Sequence, residues 1–228
     1  MTNQQSGDQI RNLLASMPIP EFLDRLAGPE ATPGGGSVAA LAGALAAALV
    51  TMVGGLTAGK KGFEAVADEM KAIAEQGTAI TERLTRAIDA DAAAYDGVMA
   101  AFRLPKADEA QKAERTGAIQ AAMKRAAEVP QAVAADCLAA AELAAVAMEK
   151  GNPNASSDAA VALLMALCGL EGAALNVATN LDAIKDADYV AATKGTLDRL
   201  FARAGQLRVA MWTTVRERIH SLPATVST

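Results

Sequence analysis

Between Phe63 and Phe102 the apolar side chains fall three or four residues apart without a break. Phe63, Val66, Met70, Ile73, Ile80, Leu84, Ile88, Val98 and Phe102 share this line with Gly77, Asp91 and Tyr95. The spacing predicts one helix of about forty residues with a coiled-coil-like seam, ended by Pro105. A helix of that length spans roughly 60 Å, more than the diameter of a sphere built from a chain of this size. Whatever the rest does, the fold has to be a long bundle.

The remaining chain supplies partners for the rod. A second helix is expected over 108–150, with Ile119, Met123, Ala126, Val133, Cys137, Ala140 and Ala144 inward and a kink at Pro130. Gly151-Asn152-Pro153-Asn154 breaks the chain. A third helix opens near Ser156 with its seam on Leu163, Leu167, Leu170, Ala174, Val177, Leu181 and Ile184. The last covers 187–222, with Val190, Leu197, Phe201, Ala204, Met211 and Val215 inward. A short helix over 21–27 precedes them all, and no stretch alternates with a period of two. These patterns predict an all-α, antiparallel bundle of long helices forming one domain over 18–222, with a loose arm over 1–17 and a tail over 223–228. An elongated bundle leaves a flank uncovered, and a homodimer is the economical way to cover it.

Pro33-Gly34-Gly35-Gly36-Ser37 leads into an uncharged run reaching Leu56. Three glycines in succession disfavour helix, and Ser37 is placed to cap the segment that follows. A helix apolar on all sides is a buried one. A bare backbone loop feeding a helix N-terminus is either a tight link or a place to hold an anionic or carbonyl-bearing ligand. It is no P-loop, because the lysine such a loop requires is missing. The run is about long enough to span a bilayer, yet it is mostly alanine and glycine without an aromatic belt, so no membrane span is expected. A formal net charge of -5 without a large basic cluster argues against nucleic acid. Cys137 and Cys168 read as reduced core thiols of a cytoplasmic protein, and two cysteines with one histidine make no conventional zinc site. The polar N-terminus lacks the order of a signal peptide.

Asp91 is the sharpest chemical feature, a carboxylate on an otherwise apolar seam. It either bridges helices or lines a cavity, where it can exchange protons with a bound substrate. Asp89 and Asp96 lie elsewhere around the helix and read as solvated. Asn176 and Asn180, one turn apart, either bond neighbouring helices or read a flat heterocycle through paired amides. Asn152, Asn154 and Asp158 cluster at a helix start, as a cap or as ligand contacts. Lys60, Lys61 and Lys106 fall at helix ends, solvated or reaching a ligand carboxylate. His220 is assigned no role.

Taken in order, several segments resemble the formiminotransferase-cyclodeaminase C-terminal family. They are Phe22 to Leu26, Thr32 to Ala40, Gly59-Lys60-Lys61, Asp91 to Tyr95, Leu104-Pro105-Lys106, Gly151-Asn152-Pro153, Ser157-Asp158, Gly172 to Val177 and Asn180-Leu181. The resemblance covers nearly everything from Pro20 onward and is closest to stand-alone bacterial methenyltetrahydrofolate cyclohydrolases. It implies an all-helical dimer acting on a tetrahydrofolate one-carbon adduct without a metal or other cofactor. The alternatives are formiminotetrahydrofolate cyclodeaminase activity and a non-catalytic folate-binding scaffold. On that resemblance Asp91 would handle the proton, and Asn176 and Asn180 would read the pterin edge. Gly34, Gly35, Gly36 and Ser37 would hold ligand oxygens, while Lys60, Lys61 or Lys106 would attract the glutamate tail. Asn152 and Asp158 complete the candidate binding set.

Overall fold

A computed structural model describes residues 13–222. Among these residues the regular elements are all helical. A short helix, α1 (Ile19–Leu26), precedes five long ones: α2 (Gly35–Ala58), α3 (Ala67–Phe102), α4 (Glu109–Lys150), α5 (Ser156–Leu181) and α6 (Ala187–Arg218). The long helices alternate in direction. Arg83 of α3 meets Asp136 of α4, Lys150 at the end of α4 meets Glu69 near the start of α3, and Arg203 of α6 meets Glu142 of α4. The expected antiparallel bundle is observed, and α4 alone is about 63 Å long at 1.5 Å per residue.

Alanine and glycine set how closely these rods approach. Ala40, Ala46, Ala47, Ala134, Ala140, Ala141, Ala144, Ala162 and Ala166 have no exposed surface. Where α2 crosses α5, a methyl group added at Gly169 would stand 2.9 Å from the Ala39 carbonyl oxygen and 2.8 Å from Cys137 Sγ. Contacts that close are available only to a residue lacking Cβ. The larger residues of the predicted seams, among them Met70, Leu84, Leu163, Leu167 and Leu170, fill the space between the crossings.

Several expectations are revised. The helix expected from Phe63 begins at Ala67 after a 3-10 turn over Glu64–Val66. The helix expected after Ser37 begins at Gly35, with Gly34 as N-cap and no side chain capping it. Asp108 caps α4 by accepting from the Gln111 N–H at 2.8 Å, and α4 continues through Pro130. Phe201 is exposed, not inward, and so is Cys168, whereas Cys137 is buried and its thiol pKa is pushed up to about 12 by that burial. Asp89 is not simply solvated: its carboxylate accepts the N–H groups of Leu14 at 2.7 Å and Ala15 at 3.2 Å. Leu14, within the segment expected to be a loose arm, is thereby buried against the bundle; residues 1–12 of that arm and the tail lie outside the described residues.

Helices α2, α4 and the segment Pro153–Leu181 are long and apolar enough to cross a membrane by length and composition. In the bundle they pack on one another, which is what their alanine content serves here. Among the described residues, part of α2 and α5 is left exposed: Val38, Leu45, Met52 and Leu56 on one helix, Val161, Leu164 and Leu175 on the other.

Candidate functional site

The site grows from the way α2 is fastened to α3. Ser37 has no exposed surface, and its hydroxyl donates to the Ile88 carbonyl oxygen at 2.8 Å. That bond ties the first turn of α2 to the turn of α3 just before Asp91. The Asp91 carboxyl is thus brought against the glycine turn, with Oδ2 3.5 Å from Ser37 Oγ. Burial raises the Asp91 pKa above the ordinary aspartate range, and the Ser37 backbone N–H and hydroxyl oppose the shift only in part. The Ser37 hydroxyl lies closer to the Ile88 carbonyl than to the carboxylate. Asp91 also borders the open space beside the turn.

That space is a cavity of about 310 Å³. Its walls are Ala31, Thr32 and Gly34 to Gly36 from the loop and the α2 start, Asp91, Ala94, Tyr95 and Val98 from α3, Met123 and Ala126 from α4, and Asn176, Thr179 and Asn180 from α5. Each asparagine is fixed by one amide N–H. Asn176 Nδ2 donates to the Gly172 carbonyl at 2.9 Å, and Asn180 Nδ2 donates to the Ala126 carbonyl at 2.8 Å. Helix bonding and cavity lining, alternatives in the sequence, are both realised. With one N–H spent on the backbone, each amide retains its oxygen and one proton for a ligand. A volume near the lower limit for ligand sites suits a flat bicyclic ring and leaves any long appendage outside the walls.

The sequence candidates divide between the two ends of the bundle. Asp91, Gly34, Gly35, Gly36, Asn176 and Asn180 converge on the cavity. Ser37 stands behind it and touches Asp91, so its part is to hold the carboxylate, not the ligand. Lys60, Lys61, Asn152 and Asp158 sit at the opposite end, past the 24 residues of α2, about 36 Å away. There Lys60 Nζ donates to Asn152 Oδ1 at 2.7 Å and lies over the Phe63 ring, while the Asn152 N–H donates to Thr57 Oγ1 at 3.0 Å. Within one chain this is a structural seal and not part of the cavity. Lys106 is exposed in the turn after α3, at the cavity end but outside its walls.

Tyr95, Thr32, Met123 and Thr179 were missed. Tyr95 lies one turn past Asp91 on the same seam and Thr32 adjoins the glycine loop, so both had a signal. Met123 and Thr179 look in sequence like any helix residue.

The family model described as formiminotransferase-cyclodeaminase matches residues 18–199. This chain belongs to that family. It is 42% identical over 202 residues to a methenyltetrahydrofolate cyclohydrolase of Methylorubrum extorquens, covering 89% of this chain and 97% of the relative. The formimidoyltransferase-cyclodeaminase of Gallus gallus is 33% identical over 89% of this chain, but the match spans only 37% of that longer protein. The crystal structure of a formiminotetrahydrofolate cyclodeaminase from Thermotoga maritima superposes with a TM-score of 0.78 at 29% identity, covering 90% of this chain and 96% of that one. Family membership accords with the expected resemblance and with the all-helical fold.

Proposed function

We propose that this chain is a methenyltetrahydrofolate cyclohydrolase, hydrolysing 5,10-methenyltetrahydrofolate to 10-formyltetrahydrofolate in the cytoplasm as a homodimer. The observation that carries the reading is Asp91, a carboxylate of raised pKa, on the wall of a ring-sized cavity. Near-full-length likeness to a cyclohydrolase supports it.

The methenyl carbon bridges N5 and N10 as an amidinium cation and is already electrophilic, so the reading assigns no cofactor to the step. Water adds to that carbon. Asp91, held at the glycine turn, orients the water and accepts its proton, leaving a neutral carbinolamine. The carbinol oxygen then loses its proton, the carbon–N5 bond breaks as the C=O bond forms, and N5 takes up a proton. One proton is released overall. The charge of Asp91 faces the cation it serves, a geometry that stabilises positive charge in the ring. Asn176 and Asn180 offer amide oxygens to the N–H edge of a pterin, and backbone N–H groups at the start of α2 donate to ligand oxygens.

Loss of the near-ultraviolet absorption of the methenyl cation, measured with wild type and Asp91→Asn, tests the assignment. Equal rates for both proteins would reduce Asp91 to a packing residue. The likeness to cyclodeaminases favours a second reading, in which N10 attacks a formimino carbon on N5 and ammonia leaves. Ammonia from formiminotetrahydrofolate, without methenyl hydrolysis, would establish that reading instead. Failure of both reactions with retained folate binding would leave a non-catalytic scaffold.

A further inference from the structure

Among the described residues, the hydroxyls of Thr32, Ser37, Tyr95 and Thr179 stand at the cavity wall or directly behind it. Two of them are spent on the backbone. Ser37 donates to the Ile88 carbonyl oxygen at 2.8 Å, and Thr179 donates to the Leu175 carbonyl oxygen at 3.0 Å. The hydroxyls of Thr32 and Tyr95 have no partner among the described residues. The chain has two tyrosines, and the fold treats them differently. The Tyr189 hydroxyl is tied to the Lys124 carbonyl oxygen at 3.3 Å. A phenol packed into a bundle ordinarily finds such a partner. Tyr95 is 41% exposed, lines the ligand space and bonds nothing of its own chain.

Its direction follows from the helix. Aromatic side chains on a helix lean toward the N-terminus and lie over the turn before them. The turn before Tyr95 is the one that carries Asp91, about 6 Å back along α3. A carboxylate and a phenol therefore border the same stretch of the cavity from one helix face.

The hydrolysis proposed above contains one proton transfer that Asp91 does not perform. Water addition puts a proton on Asp91 and leaves a neutral carbinolamine. Opening the ring then requires a proton to leave the carbinol oxygen and another to reach N5. Both atoms are bonded to the same carbon, so direct transfer between them is badly bent. A hydroxyl set against both removes the difficulty, because it accepts from one atom while donating to the other. Of the two unpartnered hydroxyls, the phenol of Tyr95 releases and regains a proton more readily than the aliphatic alcohol of Thr32.

We infer that Tyr95 is a second catalytic residue, whose hydroxyl relays the proton that opens the ring. It takes the proton of the carbinol oxygen and gives its own to N5, as the C=O bond forms and the carbon–N5 bond breaks. The phenol ends as it began, and the one proton released overall is the one held by Asp91. The inference rests on the folate reading for the identity of the substrate.

Tyr95→Phe tests it, because that variant loses the hydroxyl and keeps the ring. No hydrogen bond within the chain is lost, so the circular dichroism spectrum and melting temperature stay at wild type. KM for methenyltetrahydrofolate is unchanged, and kcat falls about 100-fold, the lower end of what a positioned proton-transfer group supplies. The acid limb of kcat/KM, set by Asp91, keeps its wild-type position. Tyr189→Phe, at the phenol outside the cavity, keeps the wild-type kcat. A raised KM at constant kcat would make Tyr95 a binding contact and overturn the relay. A displaced acid limb would overturn it too, since the loss would then come from a disturbed Asp91. Methenyl hydrolysis by wild type, matched in full by Tyr95→Phe, rejects the relay alone. A wild type that leaves methenyltetrahydrofolate unchanged rejects the folate reading and the relay together.

Discussion

Gly36 and Asp91 share one space: a Cβ on Gly36 would overlap both carboxylate oxygens of Asp91. The carboxylate occupies the volume that any other residue at position 36 would claim. The neighbour in conflict is the end of a side chain and not backbone, so Gly36→Ala is accommodated by turning Asp91 away. The expected result is a folded protein with an unchanged circular dichroism spectrum and a rate of methenyl hydrolysis reduced about 100-fold, as for an ångström-scale misplacement of a reacting group. Gly97→Ala, where a Cβ meets nothing within 4 Å, keeps the wild-type rate. Equal rates for the two variants would mean that the carboxylate's position is immaterial.

Asp91 binds its proton more tightly in the folded chain than in the unfolded one, because burial raises its pKa. Ionising it at neutral pH therefore costs stability. Asp91→Asn removes that cost, so the variant melts above wild type at pH 7. The gap closes as pH falls through the raised folded pKa toward the ordinary value of 3.8, below which the carboxyl is neutral in both states. Activity runs the other way, with a loss on the order of 10²- to 10⁴-fold on removing a general base. In wild type the acid limb of kcat/KM lies above pH 3.8, the ordinary aspartate pKa. A lower melting temperature for Asp91→Asn at pH 7 would contradict the burial argument.

Thr57 seals the far end of α2. It is fully buried, donates to the Val53 carbonyl at 2.8 Å and accepts the Asn152 N–H. Thr57→Val keeps the shape and strands that N–H, at a cost of about 1–3 kcal/mol. Urea titration followed by circular dichroism measures it as a lower midpoint with an unchanged slope. Thr78→Val, an exposed threonine bonded only to the carbonyl one turn back, should shift the midpoint far less.

The bundle was legible because its seams are long and regular: Leu163, Leu167, Leu170 and Ala174 can be nothing but one face of a helix. Asp91 was legible for the same reason, as the one carboxylate interrupting such a face. Ser37 misled because a serine after glycines looks like a cap, whereas its hydroxyl reaches Ile88, a residue 51 positions away that local spacing cannot anticipate. Lys60 and Asn152 could not be placed from the sequence for a different reason. Their residue types suit a ligand, but which end of a rod they occupy depends on helix length and direction, and these emerge only when the bundle is assembled.

Asn180 joins the frame to the cavity, since the amide that faces the ligand space also bonds the Ala126 carbonyl at 2.8 Å. The two duties separate by substitution. Asn180→Ala leaves that carbonyl without its side-chain donor and removes the ligand-facing oxygen, so stability falls by about 1 kcal/mol and KM rises. Asn176 bonds only the Gly172 carbonyl within its own helix, which already belongs to the helical ladder. Asn176→Ala therefore raises KM at nearly constant stability. The expected pattern is two variants with weakened folate binding, of which only the one at position 180 melts lower. Titration of both with tetrahydrofolate, alongside thermal melts, reads the two effects apart. A loss of stability in both without a change in binding would make the asparagines fasteners of the bundle and remove them from the recognition of the ring.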